Sequence, residues 1–256
     1  MRPRTVAIIQ ARMGASRLPG KVLLDIAGQP MLVRVVERTR RARTIDDVVV
    51  ATTTDPADDI VVEFCKARGF ASSRGSLHDV LDRYYQAARQ YEADVIVRIT
   101  ADCPVIDPDV IDHTVNEFFR NGVDFAANRL PPPYGRTYPI GLDTEVCTFT
   151  AFETAWRNAS EPHQREHVMP YLYEKKGRFK VFLVDHEPDY GAMRWTVDTP
   201  EDLEFIRQVY ARFAGRDDFT WLEVLALVER EPGLSAINAG VEHKGLQDID
   251  GLWNNS

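Results

Sequence analysis

The chain is poor in cysteine, has no long apolar run and carries no excess of positive charge. Each shortage removes a class of protein. Its three cysteines, Cys65, Cys103 and Cys147, are scattered with no CxxC pairing, a spacing that supplies neither a zinc site nor a disulfide framework, so they are read as reduced and structural. Cys103 stands in a candidate site loop, but a nucleophilic role needs an activating base and the sequence names none. No stretch reaches the apolar length of a membrane span, and the N-terminus runs straight into a strand without a signal-peptide pattern, so the expectation is a cytoplasmic protein. The 31 lysines and arginines are outnumbered by 39 acids, for a formal net charge of -8 over 256 residues. Bulk nucleic-acid binding is therefore excluded, because phosphate-backbone binders are usually basic. With no internal repeat and no low-complexity linker, the reading is one domain, 1–256.

Against this acidic background stands one basic loop. Ile9-Gln10-Ala11-Arg12-Met13-Gly14-Ala15-Ser16-Arg17-Leu18-Pro19-Gly20-Lys21 follows a short apolar strand, Thr5 to Ile9, and precedes a helix carrying Leu32, Val35 and Val36 at helical spacing. Arg12, Arg17 and Lys21 are interleaved with two glycines and a proline, so backbone amides and fixed charge can converge on one polyanion. The cations sit at the carboxyl end of the first strand, where open α/β sheets bind ligands, and a triphosphate suits them. It is no Walker loop, since five residues rather than four precede Gly20-Lys21 and Val22 follows. It is no dinucleotide fingerprint either, since Gly14 and Gly20 lack the spacing.

The remaining chain alternates strand and helix: Asp47 to Thr52 as a strand, a helix from Asp55-Pro56 to about Arg68, a short strand near Phe70, then a polar loop from Ser72 to Ser76. A helix with Leu77, Leu81, Tyr84, Ala88 and Tyr91 on one face comes next, then the strand Asp94 to Thr100 and a helix from Asp107-Pro108. This rhythm predicts an α/β, Rossmann-like, mostly parallel mixed sheet. Asp102 leaves the central strand at the same carboxyl edge as the basic loop, and Asp107 already caps the next helix. Asp102 is thus the first candidate metal ligand, in a sparse site of the kind Mg²⁺ uses with phosphate substrates. The rhythm then breaks. Asp124 to Asn128 is a short strand, the proline-rich run 130–135 is irregular, and Gly141 to Phe149 alternates as a strand. Ala151 to Asn158 is helical, Pro162 to about Glu174 is a helix split by its central proline, and Phe179 to Val184 is a strand. Arg165, Glu166 and His167 fall in one turn, either as an anion-positioning group or as a solvated helix face. Trp195 to Val197 reads as a strand ended by Asp198. Thr199-Pro200-Glu201-Asp202 opens a helix with Thr199 as its cap, so Asp198 is free for another task. A helix with Trp221, Leu222, Leu225 and Val228 follows, and 240–256 is read as a tail that stays poorly ordered unless it docks.

The basic loop resembles the signature of the nucleotidyltransferases that make CMP-activated acidic sugars, typified by CMP-Kdo synthetase. Three later motifs are similar to the spore-coat polysaccharide biosynthesis branch of cytidylyltransferase-like proteins: the run from Arg136 to Val146, Gln164-Arg165-Glu166-His167-Val168, and Arg194 to Leu203. The resemblance implies the nucleotide-diphospho-sugar transferase fold, with 129–185 as an acceptor-binding and dimer-contact insertion and a homodimer as the assembly. It implies transfer of CMP from CTP to a small acidic acceptor, with release of pyrophosphate and with Mg²⁺ on Asp102 and Asp198. Nucleotide contacts are then expected from Gln10, Ala11, Arg12, Gly14, Arg17, Lys21, Gly75, Ser76, Asp79, Arg83 and Thr100. Acceptor contacts are expected from Arg136, Tyr138, Asp143, Arg165, Glu166 and His167. One departure bears on the acceptor: Thr100-Ala101-Asp102 stands where the CMP-Kdo enzymes read Gln-Gly-Asp, so the acceptor ranges over acidic sugars and related hydroxylated or phosphorylated acids. Two alternatives stay open at this point, a nucleotide-sugar-dependent glycosyltransferase and a non-catalytic nucleotide-binding subunit. The first usually shows an Asp-x-Asp pair, and here Pro104 stands two past Asp102.

Overall fold

The computed structural model describes residues 2–131 and 135–242. The predicted tail from 243 onward and residues 132–134 of the proline-rich run lie outside the described residues. In chain order the elements are β1 (Thr5–Gln10), a 3₁₀ turn (Lys21–Leu23), the hairpin β2 (Asp25–Ile26) and β3 (Gln29–Pro30), α1 (Met31–Arg40), β4 (Asp47–Thr53) and α2 (Asp59–Arg68). Next come β5 (Ala71–Gly75), α3 (Val80–Gln90), β6 (Val95–Thr100), α4 (Pro108–Asn121), β7 (Phe125–Ala127), β8 (Glu145–Thr148) and α5 (Phe149–Asn158). The chain continues through α6 (Pro162–His167), α7 (Pro170–Tyr173), β9 (Val181–Leu183), α8 (Pro200–Arg212), α9 (Trp221–Arg230) and α10 (Pro232–Ala236).

Among the described residues, seven strands form one sheet in the order β5-β4-β1-β6-β8-β7-β9. Every neighbour pair is parallel except those that β8 makes with β6 and β7. This is the α/β, mostly parallel mixed sheet that the strand and helix rhythm predicts. Its covered strands alternate between two apolar faces. Ala7 and Ile9 pack with α1, α2 and α4 through Leu32, Val61 and Ile111, whereas Val6 and Ile8 pack with α3 and α5 through Leu81, Tyr84 and Phe152. Period-two alternation thus serves two cores at once. A third apolar cluster joins Ile26, Tyr138 and Trp195 to α8 and α9 through Leu203, Ile206 and Val224.

Three local expectations change. The polar run Ser72 to Gly75 lies within strand β5 rather than a loop. It is an edge strand paired on one side with β4, where small polar residues are tolerated because half the strand faces water. The strand expected over Gly141 to Phe149 shrinks to Glu145–Thr148. Its first part turns instead through Gly141 at φ +112°, where an added Cβ would lie 2.7 Å from the Trp195 carbonyl carbon. Only glycine fits that approach. Trp195 to Val197 joins no sheet. Arg194 makes an isolated bridge to Ile140, and the Val197 N–H is given to the Asp102 carbonyl at 2.8 Å. The helix split at Pro170 is as expected, with Val168 turned to φ +74° between α6 and α7.

Candidate active site

The basic loop is closed by its own backbone. The Met13 carbonyl accepts from the N–H groups of Ala15 and Gly20 at 2.9 and 2.8 Å, Gly20 takes a left-handed conformation at φ +70°, and the Met13 N–H is tied to buried Asp58 at 2.6 Å. Lys21 then starts the 3₁₀ turn and reaches across the carboxyl edge of the sheet. Its Nζ donates to Asp102 Oδ2 at 2.9 Å, to Asp198 Oδ1 at 2.8 Å and to the Val197 carbonyl at 2.8 Å. Three N–H groups meet three acceptors, so the two distant aspartates converge on one ammonium.

The backbone holds that convergence. The Asp102 carbonyl accepts from the Thr196 hydroxyl at 3.1 Å and from the Val197 N–H at 2.8 Å, which locks the end of β6 against the segment before α8. The second oxygen of Asp198 lies 2.9 Å from both Arg17 and Arg194. Burial by itself would raise the Asp198 carboxyl, but the charges of Lys21, Arg194 and Arg17 hold it well below the usual carboxylate range. Burial likewise opposes the charge on Lys21, and the two aspartates outweigh it, so its pKa is raised. The capping roles fall to other residues. Asp107 accepts from Asp109 and Val110 at the start of α4, and Thr199 with Asp202 forms a capping box at the start of α8.

Beside this cluster opens a cleft of about 270 Å³. A closed glycine-bearing loop, three cations and two convergent aspartates thus meet at the carboxyl edge of the sheet, an arrangement with the charge and the donors to hold a phosphate-rich ligand. The family model described as Cytidylyltransferase matches residues 6–226. The chain belongs to the cytidylyltransferase family. It is 33% identical over 232 residues to the spore coat polysaccharide biosynthesis protein SpsF of Bacillus subtilis, covering 88% of this chain and 94% of that one. It is 36% identical over 250 residues to an uncharacterised protein of Methanocaldococcus jannaschii, covering 96% of this chain and 99% of that one. A solved cytidylyltransferase from Leptospira borgpetersenii superposes with a TM-score of 0.87 at 33% identity, covering 94% of this chain and all of that one. CMP:2-keto-3-deoxy-manno-octonic acid synthetase, solved with CTP, superposes with a TM-score of 0.63 at 24% identity over 82% of this chain and 99% of that one, which speaks to the fold alone.

In this cytidylyltransferase the cleft is lined by Gln10, Ala11, Arg12, Arg17, Lys21, Arg83, Thr100, Asp102, Glu166, His167 and Asp198 among the residues singled out from the sequence. Others lie outside the lining. Gly75 meets the Arg83 backbone, where an added Cβ would come within 3.0 Å, and the Ser76 carbonyl accepts from Arg83 at 3.0 Å. Asp79 caps α3 by accepting from the Asp82 N–H at 2.8 Å. It also accepts from Arg165 Nε at 3.0 Å, and Arg165 reaches the Trp156 carbonyl at 2.7 Å, tying α6 to α3 and α5. Arg136 is paired with Asp143 through a 3.0 Å contact, and Tyr138 is buried among His186 and Trp221. Gly14 has open space at its Cα.

Two further cations line the cleft that the motifs do not contain, Arg98 and Arg129. Arg98 is ion-paired with buried Glu145 and donates to the Gln10 side-chain oxygen at 3.3 Å. A lone charge inside the apolar strand Asp94 to Thr100 is the signal that marks it. Arg129, 3.5 Å from Asp143, has no comparable signal, because it sits beside the proline-rich run. Among the described residues no helix is long and apolar enough to cross a membrane.

Proposed function

We propose that the chain transfers a CMP moiety from CTP to an acidic sugar, or to a related hydroxylated or phosphorylated acid, for polysaccharide, glycan or secondary-metabolite assembly. The observation that carries this reading is the shared ammonium: Lys21 Nζ lies 2.9 Å from Asp102 and 2.8 Å from Asp198, with Arg17 2.9 Å from the other oxygen of Asp198 and Arg12 in the lining of the same cleft. Two hard-oxygen donors aimed at one cation fit Mg²⁺, which takes one or two carboxylates and completes its shell from phosphates and water. Among the described residues no set of three or more His, Cys, Asp and Glu groups is arranged to hold a metal. When bound, Mg²⁺ neutralises charge on the α-phosphate and the incoming oxygen.

The protein's part is positioning and charge. Lys21 exchanges its two carboxylates for phosphate oxygens as the nucleotide enters. Arg12 and Arg17 take up charge developing on the leaving pyrophosphate. An acceptor hydroxyl oxygen then bonds to the α-phosphorus as the bond from that phosphorus to the α,β-bridging oxygen breaks; pyrophosphate leaves with the bridging oxygen and the acceptor's proton passes to solvent. Gln10, Ala11 and Thr100 line the nucleotide's path, Gly14 belongs to the loop that bounds it, and Gly75, Ser76, Asp79 and Arg83 form or brace its base end. The acceptor lies toward Arg136, Tyr138, Asp143, Arg165, Glu166 and His167, with Arg98 and Arg129 as added cations. In this reading 1–256 is one domain, 129–185 carries the acceptor and the contact of a homodimer, and the protein works in the cytoplasm.

The test is to incubate the protein with each nucleoside triphosphate and Mg²⁺ across a panel of sugar acids and sugar phosphates, reading pyrophosphate. CTP with at least one acidic acceptor is expected to release it. Asp102→Asn and Asp198→Asn should each lower that rate by about 10³-fold, while the thermal midpoint falls by about 2–4 °C. Full activity in either variant rejects the site.

A further inference from the structure

Behind Asp198 lies a buried network that the mechanism above leaves unused. Asp202 is fully buried. Its Oδ2 accepts from the backbone N–H groups of Asp198 and Thr199 at 2.9 and 3.1 Å and from Arg194 Nη2 at 2.8 Å. Its Oδ1 accepts from Arg194 Nε at 2.9 Å and from Asn238 Nδ2 at 2.9 Å. The same Nδ2 donates to the Arg194 carbonyl at 3.1 Å. Both amide hydrogens are therefore used, and the opposite orientation of the amide would set oxygen against two oxygens. Asn238 is 5% exposed and comes from the segment after α10, beyond residue 226 where the family model ends. The carbonyl of Glu242, four residues on, accepts from Arg17 at 3.2 Å. One segment thus touches partners of Asp198 from two sides.

We propose that Asn238 is a positioning residue for Asp198. It holds both the carboxylate and the backbone carbonyl against which the Arg194 side chain and main chain are set, and Arg194 in turn lies 2.9 Å from Asp198 Oδ2. With Asn238 in place, Asp198 keeps Oδ1 turned toward the point shared with Asp102. Without those two donors the Arg194–Asp202 pair loses its anchor on one side, and the Asp198 carboxylate can rotate. The loss falls on the metal-dependent part of nucleotide binding, because the Asn238 side chain donates to Asp202 and to the Arg194 carbonyl and to none of the loop cations Arg12, Arg17 and Lys21. The inference rests on the reading of Asp198 as a metal ligand.

The experiment is calorimetric titration of CTP into the full chain, first with EDTA and then over a Mg²⁺ series, for the parent, Asn238→Ala and Asn238→Leu. The leucine keeps the γ-branched shape and removes the donors. Both variants are expected to match the parent's CTP affinity in EDTA within about twofold and to need about tenfold more Mg²⁺ for half-maximal tightening, the lower end of what outer partners of metal ligands contribute. Asn238→Ser, which retains one donor, should fall between and serves if either larger change unfolds the chain. A leucine variant with the parent's Mg²⁺ dependence assigns Asn238 to packing and overturns the proposal, as does an equal loss with and without Mg²⁺. A parent whose CTP affinity ignores Mg²⁺ defeats the metal reading itself, and the inference with it.

Discussion

Arg38 and Arg83 are both buried to within 2% of full enclosure, yet their surroundings differ completely. Arg38, on α1, donates to the carbonyls of Ile106 at 2.6 Å, Asp217 at 2.8 Å and Phe219 at 2.9 Å. Asp217 and Asp107 lie 3.5 and 4.0 Å away, and the Phe219 ring lies beneath the guanidinium. Arg83, on α3, gives one hydrogen bond to the Ser76 carbonyl at 3.0 Å, its Nε has no partner, and no carboxylate pairs with it among the described residues. Desolvation, reinforced by the nearby charge of Arg12, pushes its pKa down to about 10. A buried cation ringed by acceptors ties loops together, whereas one left short of acceptors at a cleft wall is poised for a ligand's oxygen atoms. The Arg38 network joins the loop after Asp102 to the segment before α9. Arg83 faces the space where a nucleotide is proposed to lie.

The largest effect that sharpens this contrast is expected at Arg38. Arg38→Met strands three carbonyls and an aspartate inside the protein, and should cost about 3–5 kcal/mol in denaturant unfolding. A loss below 1 kcal/mol, by that measurement, would break the comparison. Arg83→Met should do the reverse to stability, raising it by about 1 kcal/mol because an unpaired buried charge is removed. The same variant should weaken CTP binding about tenfold or more, so a calorimetric titration and a melt together separate the two roles. The smallest effect is a pH dependence. Asp198 and Asp202 are both held below the ordinary carboxylate range, in each case against the upward push of burial, by Lys21 and Arg194 for Asp198 and by Arg194 and Asn238 for Asp202. A depressed folded-state pKa contributes stability that is present above the unfolded value, about 3.9, and is lost as pH falls through the folded one. Melts from pH 7 downward should therefore stay level to about pH 4 and then drop, and Asp202→Asn should flatten that drop. An unchanged acid slope in Asp202→Asn would remove Asp202 from the account.

How much was legible depends on how local the controlling interaction is. The basic loop could be read directly, because a strand, a glycine-bearing turn and a helix are each encoded within a few residues. Asp102 could be picked out from its place at the end of a central strand, with Asp107 carrying the cap of the next helix; the Thr199 cap left Asp198 free, and its metal role was implied by the family resemblance alone. Asp107 and Thr199 both do cap their helices. The polar stretch Ser72 to Gly75 misled because nothing in it announces an edge strand; its neighbour β4 decides that. Trp195 to Val197 misled in the other direction. Its residues suit a strand, but its Val197 N–H is claimed by the Asp102 carbonyl and its Trp195 N–H by Ile140 at 2.7 Å. Arg129 and Asn238 carry no local mark at all.

Amino-acid order alone determined the alternating strands and helices, their caps, and the gathering of three cations on one short loop, because propensity, periodicity and capping act over a handful of residues. Only the tertiary structure decided that Lys21 would stand between Asp102 and Asp198, that Arg83 would lack a carboxylate partner among the described residues where Arg38 has two close by, and that Asn238 would back the Asp198 network. Those outcomes depend on which strand ends and loops the folded sheet brings within hydrogen-bonding distance.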